Sequence, residues 1–164
     1  MSRSTDRVRE LWAAARPDLD TSPMEVVGPL KRVVALLDEA LDPLYVDTAL
    51  TSAELDVCLR LRHDPNPTIA RHLAAQMRHS RAAISKTLTR LESRGLIARE
   101  PSPADRRAAL VRLTAAGEAA VDAIFPRQLA REAELLEGLG ADRERVIEAL
   151  NLLADILSDA RKPD

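Results

Sequence analysis

Residues 80–117 read SRAAISKTLTRLESRGLIAREPSPADRRAALVRLTAAG, and this stretch decides the fold. Ser80 is a typical helix N-cap, and it is followed by apolar residues at the spacing of one helical face: Ile84, Leu88 and Leu91. We therefore predict a helix that ends near Arg94, where Gly95 suits a left-handed cap. Its opposite face carries small, polar and cationic side chains, as a helix laid in a DNA major groove requires.

A hairpin is predicted directly after this helix. Residues 96–100 and 107–113 have the composition of short strands, and the prolines and aspartate of residues 101–105 are typical of a turn. Arg106 and Arg107 then lie at or near the tip of the hairpin. A helix followed by a basic hairpin of this kind indicates a winged helix-turn-helix.

Four helices are predicted before this stretch. The first covers about residues 5–16, and the second begins at the SPME motif of residues 22–25, which has the pattern of a capping box. A third is capped by Thr51 or Ser52. A short fourth helix covers about residues 67–75 and supplies the first helix of the helix-turn-helix.

Two more helices are predicted after the hairpin. Thr114 is a candidate cap for the first, and Gly138 and Gly140 separate the two. The last helix has leucine and valine at heptad-like spacing: Val146, Leu150, Leu153 and Leu157. This apolar stripe exceeds what a winged-helix core requires, so we expect a two-fold homodimer.

The predicted fold is mostly α with a small β-hairpin wing, a winged helix-turn-helix with N- and C-terminal dimerisation helices. Residues 1–50 are expected to hold the N-terminal helices, for dimerisation and a ligand pocket. Residues 51–113 are expected to form the winged helix-turn-helix DNA-binding domain. Residues 114–164 are expected to form the C-terminal dimerisation helices.

Charge is divided unevenly along the 164 residues. Residues 60–112 hold twelve Lys or Arg and four Asp or Glu, a formal charge of +8, whereas the remainder carries −10 and the whole chain −2. A basic middle in an acidic frame is typical of a module that binds a polyanion. The alternative is a solvated face on ordinary helices.

Several classes of protein are disfavoured by composition. No apolar run approaches the roughly 20 residues that would span a bilayer, and the polar first residues do not resemble a secretory signal, so a cytoplasmic location without membrane contact is expected. Cys58 is the only cysteine, which excludes internal disulfides and a multi-cysteine zinc site. Its apolar neighbours favour a buried thiol over a redox sensor. No catalytic triad, carboxylate pair or metal-ligand set is evident, so neither an enzyme nor a cofactor is expected.

Three segments resemble the MarR family of winged-helix regulators: LTSAELDVCLRL, SRAAISKTLTRLESRGLIARE and DRRAALVRLTAAG. The resemblance covers about residues 30–160, and it departs at Ala108, where serine is usual. It implies that one helix enters the major groove while a wing arginine reaches the minor groove. The DNA-contacting residues would then be Ser80, Arg81, Ser85, Lys86 and Arg90 on the helix, and Arg106 or Arg107 on the wing.

The segment WAAARPDLDTSP, at residues 12–23, is similar to the urate-responsive branch of that family. Trp12, Asp56 and Arg99 match three positions of that branch's anionic-ligand pocket, and Thr87 stands where an arginine is usual. Without that guanidinium, bidentate recognition of an anion is lost, so a different small aromatic or carboxylate ligand is expected.

Each of the three matching residues also has a simpler interpretation. Trp12 could anchor its own helix, Asp56 could pair with Arg60 one helical turn away, and Arg99 could be one more DNA contact.

The resemblance implies a ligand-responsive repressor of its own and neighbouring genes. A homodimer would bind a pseudo-palindromic operator in double-stranded DNA and would be released by the ligand. Two alternatives remain open: a constitutive DNA binder without an effector, and a winged-helix module that binds another protein.

Overall fold

The computed structural model describes residues 3–64, 67–102 and 108–160, with side chains from residue 7 onward. The chain forms two compact units, Met1–Pro126 and Arg127–Asp164. The division into three parts at residues 50 and 113 stays a prediction.

The described residues form seven α-helices: α1 (Arg3–Ala15), α2 (Met24–Leu41), α3 (Ser52–Arg62), α4 (Ala70–Gln76), α5 (Arg81–Ser93), α6 (Ala115–Leu136) and α7 (Arg143–Asp159). They also form three strands: β1 (Thr68–Ile69), β2 (Ile97–Pro101) and β3 (Ala109–Leu113). Two 3-10 segments complete the elements: Asp42–Tyr45 and Glu137–Asp142. The predicted fold class, mostly helical with a small β wing, is confirmed.

The sheet is antiparallel and has the strand order β1-β3-β2. Strands β2 and β3 form the predicted hairpin, with Ile97 opposite Leu113, and β1 pairs with the other edge of β3, with Thr68 opposite Val111. The prediction of helix from residue 67 is therefore wrong for its first turn. Thr68 and Ile69 are β-branched and complete the backbone hydrogen bonds of β3, so the chain enters α4 only at Ala70.

The two capping motifs of the sequence have different outcomes. Thr51 caps α3: its hydroxyl accepts from the Glu54 N–H at 3.3 Å, and the Glu54 carboxylate accepts from the Thr51 N–H at 3.0 Å. The prediction of a capping box at residues 22–25 is wrong. Pro23 precedes α2 in a helical conformation with no side-chain cap, and Glu25 forms an ion pair with Arg9 of α1 at 3.0 Å.

Helix α5 begins and ends as the sequence predicts. The Ser80 hydroxyl accepts from the Ala83 N–H at 3.1 Å. At the other end Gly95 has a φ of +70°, and the N–H groups of Gly95 and Leu96 bond to the carbonyls of Glu92 and Leu91. This is a Schellman closure, which requires the left-handed conformation that glycine adopts without strain.

One apolar core lies in the unit Met1–Pro126, under α5 and the sheet. Its fully buried side chains are Leu55, Val57, Cys58, Leu73, Leu88, Leu91, Val111 and Val121. Because these residues come from α3, α4, α5, β3 and α6, the core fixes α5 against those four other elements.

The unit Arg127–Asp164 contains the end of α6, the 3-10 segment and α7. Gly140 has φ 47° and ψ −124°, so the predicted break between the two helices is confirmed. Helix α7 has no buried residue, and several of its large apolar side chains are exposed: Val146, Ile147, Leu150, Leu152, Ile156 and Leu157.

Candidate nucleic-acid interface

One face of α5 is apolar and buried, and the other is polar and open. Ile84, Leu88 and Leu91 lie in the core, while the predicted contact residues on the helix are all exposed: Arg81, Ser85, Lys86 and Arg90. Ser80 is exposed as well, but its hydroxyl is engaged as the helix cap. The open face is therefore cationic and free of large apolar side chains, which suits contact with base edges and phosphates.

The wing carries the second predicted contact. Arg106 and Arg107 lie outside the described residues. At the described base of the wing, Arg112 of β3 forms a cross-strand ion pair with Glu100 of β2.

Arg99 joins the wing to α5. Its strand register sets it opposite Val111, on the face of the hairpin that carries buried residues. The Arg99 guanidinium donates to the Thr89 hydroxyl at 3.3 Å and forms an ion pair with Glu92 at 3.1 Å. Arg99 thus connects β2 of the wing to α5.

Glu54 makes a second connection to α5, at the C-terminal end of that helix. Its side chain is only 3% exposed, and its carboxylate lies 2.8 Å from the Arg94 guanidinium and 3.8 Å from that of Arg90. Arg94 also donates to the carbonyl of Ala49, at 2.9 Å. We call Ala49, Thr51, Glu54, Arg90 and Arg94 the Glu54 cluster.

Electrostatics keep Glu54 charged despite its burial. Burial alone would raise the pKa of Glu54, but the Thr51 N–H and the Arg94 guanidinium together outweigh it, so the pKa lies below its usual value. The folded state therefore gains stability from Glu54 above the usual pKa of a glutamate, and loses it as the pH falls through the lowered pKa. Sequence reasoning missed this role, although the Thr51-x-x-Glu54 capping pattern marks the position.

Two of the four residues predicted to bind a ligand share a cleft. A cleft of about 220 Å³ lies between α3, α5 and the turn before α5, and both Asp56 and Thr87 line it, with Met77 and His79. Trp12, half exposed on α1, and Arg99 are not among its lining residues. Arg99 lines a separate cleft of about 490 Å³ with Arg71.

The Cys58 thiol is buried and has low reactivity in the folded protein. The residue is fully buried in the core. Burial first, and then the negative charge of Glu54, raises the pKa of the Cys58 thiol to about 12. Because the thiolate is the reactive form, the folded protein presents almost none of it at neutral pH.

The described part of the chain has neither a membrane-spanning helix nor a metal-binding cluster. No helix there combines the length and hydropathy needed to cross a membrane. Within the same residues, no group of three or more His, Cys, Asp or Glu could hold a metal ion.

The sequence of this chain matches a known protein family. The MarR family model matches residues 50–109. The HTH-type transcriptional regulator PecS of Dickeya dadantii is 30% identical over 141 residues, which are 85% of this chain and 85% of that protein.

Solved structures give the same fold. BpsR of Bordetella bronchiseptica, solved in work on the regulation of its DNA binding by 6-hydroxynicotinic acid, has a TM-score of 0.72 and 27% identity, covering 79% of this chain and 93% of that one. CouR bound to a 23-mer DNA duplex has a TM-score of 0.64 and 28% identity, covering 82% and 91%. These relatives regulate transcription and are not enzymes. The exposed cationic face of α5, the wing and these likenesses agree: this chain belongs to the MarR family of winged-helix, DNA-binding transcriptional regulators.

Proposed function

We propose that this protein is a ligand-responsive repressor that binds a pseudo-palindromic operator as a homodimer. The observation that carries the DNA part is the exposed cationic face of α5, opposite its buried face of Ile84, Leu88 and Leu91. We assign base and phosphate contacts to Arg81, Ser85, Lys86 and Arg90, with Ser80 at the helix start and Arg106 or Arg107 on the wing. Because the protein acts on DNA, we propose that it functions in the cytoplasm.

Two apolar helix surfaces support the homodimer. In the unit Met1–Pro126, α2 exposes large side chains: Val26, Val27, Val33, Val34 and Leu36. In the unit Arg127–Asp164, α7 exposes the six described above. A second copy would remove both surfaces from water at about 25 cal/mol per Å² buried, and two-fold symmetry would match a palindromic site.

The effector we propose is a small aromatic or carboxylate anion. Asp56 and Thr87 line one cleft next to α5, so a ligand there touches the helix that reads DNA. Trp12 and Arg99 complete the proposed ligand set. A ligand releases the operator only if it binds the DNA-incompetent state more tightly than the DNA-competent one.

Thr87 in place of arginine favours a second candidate, a constitutive regulator without an effector.

Fluorescence anisotropy tests both parts. A labelled duplex from the region upstream of the gene is titrated with the protein at two salt concentrations, beside a scrambled duplex of equal length. We expect tighter binding to the upstream duplex and a log K that falls by about 0.9 per log unit of salt for each phosphate neutralised. Equal, weak binding to both duplexes would contradict autoregulation and favour the protein-interaction alternative.

The same assay tests the effector. 6-Hydroxynicotinate and urate are added to the preformed complex, first with the wild type and then with Asp56→Asn and Trp12→Ala. Leu11→Ala, on the same helix as Trp12 and also exposed, is the control. We expect 6-hydroxynicotinate, and not urate, to release the wild type and the control, with retained binding but lost release in the two variants. A wild-type complex that no aromatic carboxylate releases would instead support the constitutive regulator.

A further inference from the structure

The Glu54 cluster joins three parts of the unit Met1–Pro126 at one buried carboxylate. Glu54 belongs to the first turn of α3, Ala49 to the segment before it, and Arg90 and Arg94 to the last turn of α5 and its C-cap. Arg94 alone reaches all three, because it contacts the carboxylate of Glu54, the carbonyl of Ala49 and the carbonyl of Arg90. An ion this deeply enclosed costs folding free energy unless every oxygen is paired, so its partners must be held closely.

The apolar core leaves the tilt and rotation of α5 weakly defined. Contacts of Ile84, Leu88 and Leu91 hold the helix against the core, but apolar burial has no preferred direction. Hydrogen bonds and ion pairs have defined distances and angles, so they restrain tilt and rotation. Among the described contacts, those of Glu54 fix the C-terminal end of the helix, and those of Arg99 fix its flank.

A small tilt of α5 has a large effect at its far end. The helix has 13 residues. With a rise of 1.5 Å per residue, a tilt of about 10° about its C-terminal end moves Arg81 by roughly 3 Å, the length of a hydrogen bond. Such a displacement breaks base contacts at the N-terminal end, whereas contacts to the flexible phosphate backbone can readjust.

We propose that Glu54 is a positioning residue for operator recognition: through Arg94 it sets the angle at which α5 presents its reading face to DNA. A second consequence concerns Arg94, whose side chain is 42% exposed. The buried carboxylate, 2.8 Å away, draws this cation towards the protein and withholds it from phosphates. Glu54 therefore raises specificity twice, because it aligns the base contacts and restrains nonspecific attraction.

Replacing Glu54 by glutamine tests the positioning role, because glutamine at this position preserves the capping box while removing the charge. The probe is a duplex selected from a random pool by the wild-type protein, beside a scrambled duplex. We expect Glu54→Gln to weaken operator binding about tenfold, the change that 1.4 kcal/mol represents. Binding to scrambled DNA should stay equal or strengthen, with a steeper salt dependence, since Arg94 is released.

Arg94→Gln supplies the second arm of the test. It should weaken operator binding by a similar factor without strengthening binding to scrambled DNA. The double variant Glu54→Gln/Arg94→Gln should bind the operator no more weakly than the weaker-binding of the two single variants, because both changes remove the same connection. Asp122→Asn is the matched control: it breaks the bidentate pair of Asp122 with Arg62, at the other end of α3, and should leave the operator preference unchanged.

Thermal unfolding without DNA separates positioning from general destabilisation. Every variant must be folded at the assay temperature, and the ratio of operator to scrambled affinity is then compared. An unchanged ratio in Glu54→Gln would overturn the proposal. Arg94→Gln that weakens both duplexes equally, with Glu54→Gln unaffected, would also overturn it and make Arg94 a phosphate contact.

Discussion

Gly117→Ala is expected to destabilise the protein by about 3 kcal/mol or more, the upper end of what overpacking costs. A Cβ at this position would lie 2.0 Å from the carbonyl oxygen of Leu96 and 3.0 Å from the Leu113 side chain. The carbonyl is backbone and also accepts from the Thr114 N–H at 3.1 Å, so it has little freedom to move. The added methyl group must therefore push the start of α6 away from the wing.

Gly138→Ala is the matched control for this prediction. Nothing lies within 4 Å of a Cβ built at Gly138, and its φ is not in the left-handed region. Thermal and urea unfolding of both variants should show a large loss for Gly117→Ala and almost no change for Gly138→Ala. Equal stability of the two variants would show that the junction between Leu96 and α6 is looser than described.

The double variant Arg81→Ala/Lys86→Ala is expected to weaken operator binding by between about 30-fold and 10⁴-fold, since each base contact contributes roughly 1–3 kcal/mol. Both side chains are exposed on the open face of α5. The thermal midpoint should stay near the wild-type value, because surface substitutions away from caps and ion pairs usually change stability little.

Arg127→Ala/Arg143→Ala removes the same formal charge from exposed positions in the other unit and serves as the control. Anisotropy with the selected duplex should show little loss for the control. If the two double variants bound DNA equally well, net charge and not the face of α5 would account for affinity.

The reading helix and the wing were predictable from sequence because their signals are local. Ser80, the apolar residues on one face and Gly95 all act within a few residues of α5. Strand β1 was not predictable in the same way. Its two residues, Thr68 and Ile69, are extended only because β3, some forty residues later, offers a free edge.

Capping motifs show the same distinction between local pattern and distant partner. Residues 22–25 and 51–54 both have the pattern of a capping box, but only Thr51 and Glu54 form one. Glu25 lies against Arg9 of α1, which offers a full charge in place of a backbone N–H. The pattern alone holds no information about that arginine.

The candidate sites were predictable in part for a similar reason. Family resemblance singled out Asp56 and Thr87, and both line one cleft. Arg99 was singled out too, but its contacts with Thr89 and Glu92 depend on how the wing packs on α5. Glu54 was missed because its partner Arg94 is forty residues away, and burial of a glutamate is not expected from sequence.

Tethered cleavage of operator DNA locates α5 in the complex. Ala82→Cys places a reactive thiol on the open face of α5 at a position with no assigned DNA contact, and the buried Cys58 should not compete for the label. An iron–EDTA chelate attached there should cut the duplex in two clusters about one helical turn, roughly 10 base pairs, apart. A chelate on Ala123→Cys, exposed on α6, is the comparison. Cleavage from position 123 with none from position 82 would contradict the assignment of α5 as the helix that contacts the bases.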